Sequence, residues 1–141
     1  MSTAKDKRQK QRYHLEIQQR IEGLLNKMLQ RTRSLVDKAP KTNTTKLSNL
    51  NNVANETSSA EVVIGYVQYQ VGREVWRRTF GEDLIKDLQD LSNAAEGIVS
   101  QAWEAHHPAG LQRDAERDRV WMLLIRQFVG HLRRYAVYKW D

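Results

Sequence analysis

The chain has 141 residues, of which 40% are hydrophobic, and it contains two prolines and no cysteine. This size and composition predict one globular domain and exclude a disordered chain, disulfide bonds, thiolate metal sites and cysteine nucleophiles. No run of about 18 apolar residues occurs, so neither a transmembrane helix nor membrane association is expected. No apolar stretch follows the basic N-terminus, so no secretory signal is expected, and the lack of cysteine fits a cytoplasmic location.

The net charge of +6 is unevenly distributed along the chain. Residues 1–46 contain twelve Lys/Arg and four Asp/Glu, residues 81–110 contain one and six, and residues 111–141 are basic again. This order suggests a polyanionic partner for the basic parts. It also suggests self-association, in which the acidic segment of one copy meets the basic segment of the next. The alternative is a basic surface that only keeps the protein solvated.

The N-terminal third predicts a tail followed by a long helix. Residues 1–10 are basic and nearly devoid of apolar side chains, so we expect a flexible tail, with residues 11–141 forming a helical bundle domain. Residues 11–38 predict one helix, which Pro40 ends. Residues 39–46 read as a polar connection, and residues 47–56 as a short helix. The apolar positions of the long helix recur at three- and four-residue steps: Ile17, Ile21, Leu24, Leu25, Met28, Leu35 and Val36.

The next segment predicts a helix from Ser58 to about Thr79. The letters "SSAE" fit a capping box, with Ser58 as the N-cap and Glu61 three residues later. Gly81 is a natural stop. The segment is rich in β-branched residues, which leaves a strand as the alternative. Four valines nevertheless form a row at four-residue steps, which favours the helix: Val63, Val67, Val71 and Val75.

Two further helices are predicted over residues 82–104 and 112–139. The first has a narrow apolar seam formed by Leu84, Leu88, Leu91, Ala95, Ile98 and Ala102. The second presents Trp121, Leu124, Phe128, Leu132 and Tyr135 on one face. The whole pattern predicts an all-α, single-domain bundle of four long helices plus one short helix, with Trp103 and Trp121 as large core fillers.

One candidate binding strip lies on the predicted 58–79 helix. Tyr66, Gln70, Arg73 and Arg77 follow steps of four, three and four residues, so they would share one helical face. Arginine suits phosphate, glutamine can bond a base or a 2′-hydroxyl, and tyrosine can stack on a base. The strip therefore predicts an RNA-facing surface, although charged helix faces are often only solvated.

A second candidate strip lies on the last helix. Arg119, Arg126 and Arg133 are seven residues apart and would stack on nearly the same face. Gly130 lies between the last two and would let a backbone approach. No carboxylate occurs between Asp118 and Asp141, which weakens the alternative that salt bridges within the helix neutralise these arginines. Contacts of this kind would bind phosphates without reading sequence.

The histidines are the candidate residues for catalysis and metal binding. His106 and His107 are adjacent in a predicted loop, where neighbouring side chains seldom bind one ion, so no metal site is expected. The letters "RQFVGH", Arg126 to His131, resemble the Arg-x4-His pattern of the helical HEPN ribonucleases. That resemblance implies RNA cleavage by the pair across a dimer, with the 2′-hydroxyl as the attacking group. It covers only six residues. The family often has a polar residue directly after the arginine, and Gln127 at that position is an imperfect match.

A second resemblance covers residues 51–78. The asparagine-rich entry at 51, 52 and 55 is followed by Tyr69-Gln70 and Gly72-Arg73. This segment resembles the small, all-helical subunit of type III CRISPR–Cas effector complexes. The resemblance implies a non-enzymatic protein without a cofactor, in which Gln70, Arg73 and Arg77 hold RNA, and Tyr69 supports them.

The same resemblance implies the partners. They are guide and target RNA, other subunits of the effector complex, and further copies along a filament. The strip on the last helix adds Arg126 and Arg133 to the predicted RNA-binding residues, so that arginines of two helices would converge on one groove. The alternatives that remain open are the HEPN-type ribonuclease using Arg126 and His131, and a helical protein–protein interaction module.

Overall fold

The computed structural model describes residues 3–141, which form six α-helices and no strand. In chain order they are α1 (Ala4–Gly23), α2 (Leu25–Lys38), α3 (Thr45–Glu56), α4 (Ala60–Gly72), α5 (Arg78–His106) and α6 (Arg113–Trp140). The prediction of an all-α single domain is confirmed, but the count of four long helices and one short helix is not matched. Along this part of the chain, no helix combines the length and the apolar character that a membrane span requires.

The first helix begins earlier than expected. Thr3 and Asp6 form a capping box in which each side chain accepts a hydrogen bond from the other residue's backbone N–H, both at 3.1 Å. This box satisfies two N–H groups that the start of a helix would otherwise leave unpaired. Residues 4–10, predicted as a flexible tail, are therefore the first turns of α1. Met1 and Ser2 lie outside the described residues.

The helix predicted over residues 11–38 is interrupted at Gly23 and Leu24. Gly23 is a poor helix former because its backbone has the most conformational freedom to lose. The two halves also have different neighbours, since α1 packs on α5 whereas α2 packs mainly on α6. The break directly after the glycine lets α1 pack along α5 and α2 pack along α6.

The helix predicted over residues 58–79 ends at Gly72, and its N-cap is Ser59 rather than Ser58. Glu74 adopts the left-handed conformation with φ of 60°. The N–H of Glu74 then donates to the Val71 carbonyl, and the N–H of Val75 donates to the Gln70 carbonyl, both at 3.0 Å. This pair of bonds is a Schellman ending, in which glycine is the usual left-handed residue. The strand alternative is wrong for this segment.

The two longest helices, α5 and α6, pack against each other and carry the others. Helices α2 and α3 lie on α6, while α1 and α4 lie on α5. The predicted seam of α5 is confirmed, because all six of its residues are buried. Trp103 and Trp121 are half-buried at the edge of the core, and Trp121 donates from Nε1 to the Leu88 carbonyl at 2.8 Å.

The turn between α4 and α5 is closed by aromatic rings. Tyr66, Trp76, Phe80 and Trp140 meet successively edge to face, with centroids 5.8–6.5 Å apart. Gly81, predicted as a stop, instead lies inside α5, where a Cβ would come within 2.0 Å of Val71 Cγ2. This glycine therefore allows α4 and α5 to approach closely.

Candidate nucleic-acid interface

The predicted strip Tyr66–Gln70–Arg73–Arg77 does not form one surface. Gln70 is only 4% exposed, and Tyr66 is half-buried against Trp76. Arg77 is not on α4 at all, because it is the residue immediately before α5. Gln70 is therefore a core residue in this chain rather than a surface residue. The Schellman ending removes the last two turns of the predicted helix, so Arg77 does not continue the face of α4.

Three of the predicted residues do remain at the surface, around the turn between α4 and α5. Tyr69 is 58% exposed, and the Arg73 guanidinium lies 5.4 Å from the centroid of its ring. Arg77 is exposed as well. Among residues 3–141, neither arginine is paired with a carboxylate. We call Tyr69, Arg73 and Arg77 the turn group; its chemistry suits phosphate contact.

Arg126 has a structural task. Its Nε donates to the Ala54 carbonyl at 2.9 Å, and one terminal nitrogen donates to the Thr57 carbonyl at 2.8 Å. Both acceptors lie at the C-terminal end of α3, where helix carbonyls have no partner within the helix. The guanidinium is a planar fork that satisfies the two carbonyls together. Arg126 therefore fixes α3 to α6, and two of its five N–H donors are used in doing so.

The other two arginines of that strip are also engaged. Arg119 forms a two-pronged bond with the Glu116 carboxylate, at 3.0 Å for each contact. Arg133 is half-buried and donates from Nε to Ser48 Oγ at 2.9 Å. The close approach predicted at Gly130 is made by side chains instead, with the Arg134 guanidinium 3.5 Å from where a Cβ would be.

Arg126 and Arg73 are far apart. Arg126 is bound beside residue 57, just before α4 begins, whereas Arg73 follows the end of α4. The 13 residues of α4 span about 20 Å at 1.5 Å per residue. The prediction that the arginines of the two strips converge into one groove is therefore wrong for Arg73 and Arg126.

A different basic and aromatic surface lies between α2 and α6. An open cleft of about 570 Å³ is lined by Leu29, Thr32, Arg33, His131, Arg134, Tyr135 and Tyr138. We call it the α2–α6 cleft. Among the described residues, none of its lining side chains is a carboxylate, and neither of its arginines is paired with one.

The polar side chains of the α2–α6 cleft hold one another in place. The Arg33 guanidinium lies 5.7 Å from the centroid of the Tyr135 ring. The Tyr135 hydroxyl donates to Asp37 at 2.8 Å, just outside the cleft. Arg134 donates to His131 Nδ1 at 2.8 Å. The positions of the cationic groups are therefore set by the protein before any ligand binds.

The charge of the cleft comes from its arginines. Burial and then the neighbouring Arg134 lower the pKa of His131 below its ordinary value, so the imidazole is neutral near pH 7. An arginine can only donate, so His131 Nδ1 is the acceptor, and the ring hydrogen is on Nε2. The cleft thus combines two cations, a neutral N–H donor and two tyrosine rings.

The sequence contains a signal for this surface, although neither predicted strip includes it. Gln127, His131, Arg134 and Tyr138 follow the same four-three-four spacing as the strip on the predicted 58–79 helix. On α2, Gln30, Arg33 and Asp37 follow the same rule. What the sequence does not show is that these two faces lie beside each other.

A second polar cluster joins α1 to the ends of α5 and α6. Glu16 accepts from Arg20 at 2.8 Å and contacts His106 Nε2 at 2.9 Å. Tyr13 is fully buried, and its hydroxyl meets the Glu116 carboxylate outside ideal hydrogen-bonding geometry. His106 is thus the last residue of α5 rather than part of a free loop.

Ionisation in this cluster favours charged Glu116 and neutral Tyr13. Burial, followed by the Glu116 carboxylate, raises the pKa of Tyr13 far above its ordinary value. Burial alone would raise the pKa of Glu116, but Arg119 and Tyr13 outweigh it, so that pKa is lowered. Within residues 3–141, no group of three or more His, Asp or Glu side chains is arranged to hold a metal ion.

The residues of the ribonuclease-like pattern are held apart in the chain. Arg126 donates to carbonyls at the end of α3, whereas His131 is bonded to Arg134 in the α2–α6 cleft. The two side chains therefore face different neighbouring helices. A shared site in one copy would require Arg126 to leave both of its carbonyl partners.

No protein-family model, curated protein or solved structure matches this chain. The function is therefore inferred from the geometry of the molecule together with the resemblance of residues 51–78.

Proposed function

We propose that this protein is a non-enzymatic RNA-binding small subunit of a type III CRISPR ribonucleoprotein effector complex. The observation that carries the binding function is the α2–α6 cleft, where Arg33 and Arg134 lie without carboxylate partners beside Tyr135 and Tyr138. Unpaired arginines on a concave surface attract a polyanion, and interleaved tyrosines favour nucleic acid over a simple anion.

In this proposal the arginines hold phosphates of the RNA backbone. Each guanidinium presents a planar set of donors that matches two phosphate oxygens. The N–H at His131 Nε2 can donate to a phosphate or to a 2′-hydroxyl. These contacts position the strand without reading its sequence, as a subunit that serves many guides requires.

The turn group is the second contact in this proposal. Tyr69, Arg73 and Arg77 belong to the segment whose resemblance implies RNA binding, and all three are exposed. In this proposal the guide–target RNA contacts both the turn group and the α2–α6 cleft. Binding at two separated sites would orient the RNA along the bundle rather than hold it at a single point.

Other subunits and further copies of this chain are the remaining partners in the proposal. The distribution of charge along the chain supports self-association only in part, because some acidic side chains already pair with basic side chains of the same chain. Arg31 of α2 holds Asp87 of α5 through contacts of 2.9–3.2 Å. The carboxylates of α5 that remain exposed, such as Asp90 and Glu104, are free to meet basic residues of a neighbour.

The test is RNA affinity as a function of salt. The variant Arg33→Ala/Arg134→Ala loses two phosphate contacts, so the slope of log affinity against log salt should fall by about 1.4 for single-stranded RNA. The matched control is Arg8→Ala/Arg12→Ala on α1, which removes the same charge from exposed positions outside the cleft. Equal changes in the two variants would refute the role of the cleft, and cleavage of the RNA would refute a non-enzymatic function.

A further inference from the structure

Tyr138 has an exposed ring that the fold itself does not explain. It is 79% exposed, more than any other large hydrophobic residue described, and it lies in the α2–α6 cleft. Single exposed rings are common on protein surfaces, but this ring lies beside a second tyrosine and two arginines without carboxylate partners. These neighbours indicate what the ring can bind.

The neighbouring ring supports Tyr138. The Tyr135 and Tyr138 centroids are 6.0 Å apart, with the ring planes tilted by 37°. Tyr135 is held by the Arg33 guanidinium and by its bond to Asp37. Tyr138 therefore lies in tilted contact with the cation–aromatic pair of the cleft, and its own ring is open to a further planar group.

The spacing on α6 suits one nucleotide. Arg134 and Tyr138 are four residues apart, so their Cα positions share one face about 6 Å apart along the helix axis. The Arg134 guanidinium bonds His131 Nδ1 on the side away from Tyr138, so a nucleotide with its phosphate on Arg134 and its base on Tyr138 would lie extended along α6. The cleft is open to solvent and has a volume of about 570 Å³, so a nucleotide can enter it from the surface.

We infer that the α2–α6 cleft binds an unpaired nucleotide, with its base stacked on Tyr138 and its phosphate on Arg134. This inference rests on the proposed RNA-binding function and narrows its substrate. Inside an A-form duplex both faces of a base are covered by neighbouring pairs, and the deep major groove does not admit side chains. A tyrosine ring can stack only on a base that is single-stranded or turned out of the helix.

The inference is tested with short RNAs that carry 2-aminopurine, a fluorescent base, as a single strand and as a blunt duplex. Stacking on a tyrosine should quench the single strand when the protein binds. Tyr138→Ala should weaken single-strand binding about 5- to 150-fold, from about 1–3 kcal/mol per stacked base, and should leave duplex binding unchanged. Tyr138→Phe should retain both the quenching and the affinity.

Leu15→Ala is the matched control, because it removes another highly exposed large side chain from α1, outside both the cleft and the turn group. Thermal unfolding should show that both variants are as stable as the parent, since both side chains are exposed. If Arg33→Ala/Arg134→Ala weakens binding but Tyr138→Ala does not, the unpaired-nucleotide inference is overturned and the proposed function stands. If the parent protein binds neither RNA, both are overturned.

Discussion

Replacing Arg126 by alanine should destabilise the fold rather than weaken RNA binding. The guanidinium makes two charge-assisted hydrogen bonds, to the carbonyls of Ala54 and Thr57. Such a bond contributes about 1.5–3 kcal/mol. The site is half-buried, so water can reach the freed carbonyls and reduce the loss. We therefore expect the free energy of unfolding to fall by about 2–3 kcal/mol, less than the sum of both bonds.

The assay is urea denaturation followed by circular dichroism. Arg134→Ala is the control, because it removes the same side chain from an exposed site on the same helix and should cost less than about 0.5 kcal/mol. Arg126→Lys keeps the charge but loses the planar fork, so it should recover only part of the stability. The reasoning fails if Arg126→Ala unfolds at the same urea concentration as the parent, or if it flattens the salt slope of RNA binding.

Four further substitutions test the local geometry through the free energy of unfolding. Gly130→Ala should raise stability by about 0.5–1 kcal/mol, because the new Cβ meets only ordinary contacts, whereas Gly81→Ala should lower it, because the Cβ clashes with Val71. Glu74→Gly should raise it by about 0.5–1 kcal/mol by relieving the left-handed backbone; no change would contradict the Schellman ending. Glu116→Gln should lower stability at pH 7, and the difference should shrink as the pH falls below about 4, since its lowered pKa stabilises the fold only while the carboxylate is ionised. A difference that does not depend on pH would contradict the role of that charge.

A helix could be predicted correctly where its apolar residues repeat regularly along one face and that face packs into the core. The seam of α5 repeats without interruption, so its six residues were identified from spacing alone. The end of α4 could not be identified in this way. The left-handed position is occupied by Glu74, whereas the glycine that normally signals it lies two residues earlier. The row of valines continues past the true end to Val75, so the periodic pattern predicts a helix that is too long.

The sequence could predict which kinds of side chain form the candidate site, but not how they are arranged in space. The sequence around Arg126 does not distinguish it from an unbonded surface arginine, because its hydrogen-bond partners at residues 54 and 57 are about 70 positions away. Conversely, Arg33 and Tyr135 form one surface only because α2 packs beside α6. Charge and helical spacing indicate which side chains share a face, but contacts between distant helices decide which faces remain available to a ligand.

The most direct test of the account is to map where RNA touches the protein. RNA containing 4-thiouridine is cross-linked to the native protein by near-ultraviolet light, and the modified peptides are identified by mass spectrometry. The account predicts adducts on the C-terminal half of α6, between His131 and Tyr138, and on α2 near Arg33. Adducts confined to α1 and α5, with the α2–α6 cleft unmodified, would contradict it.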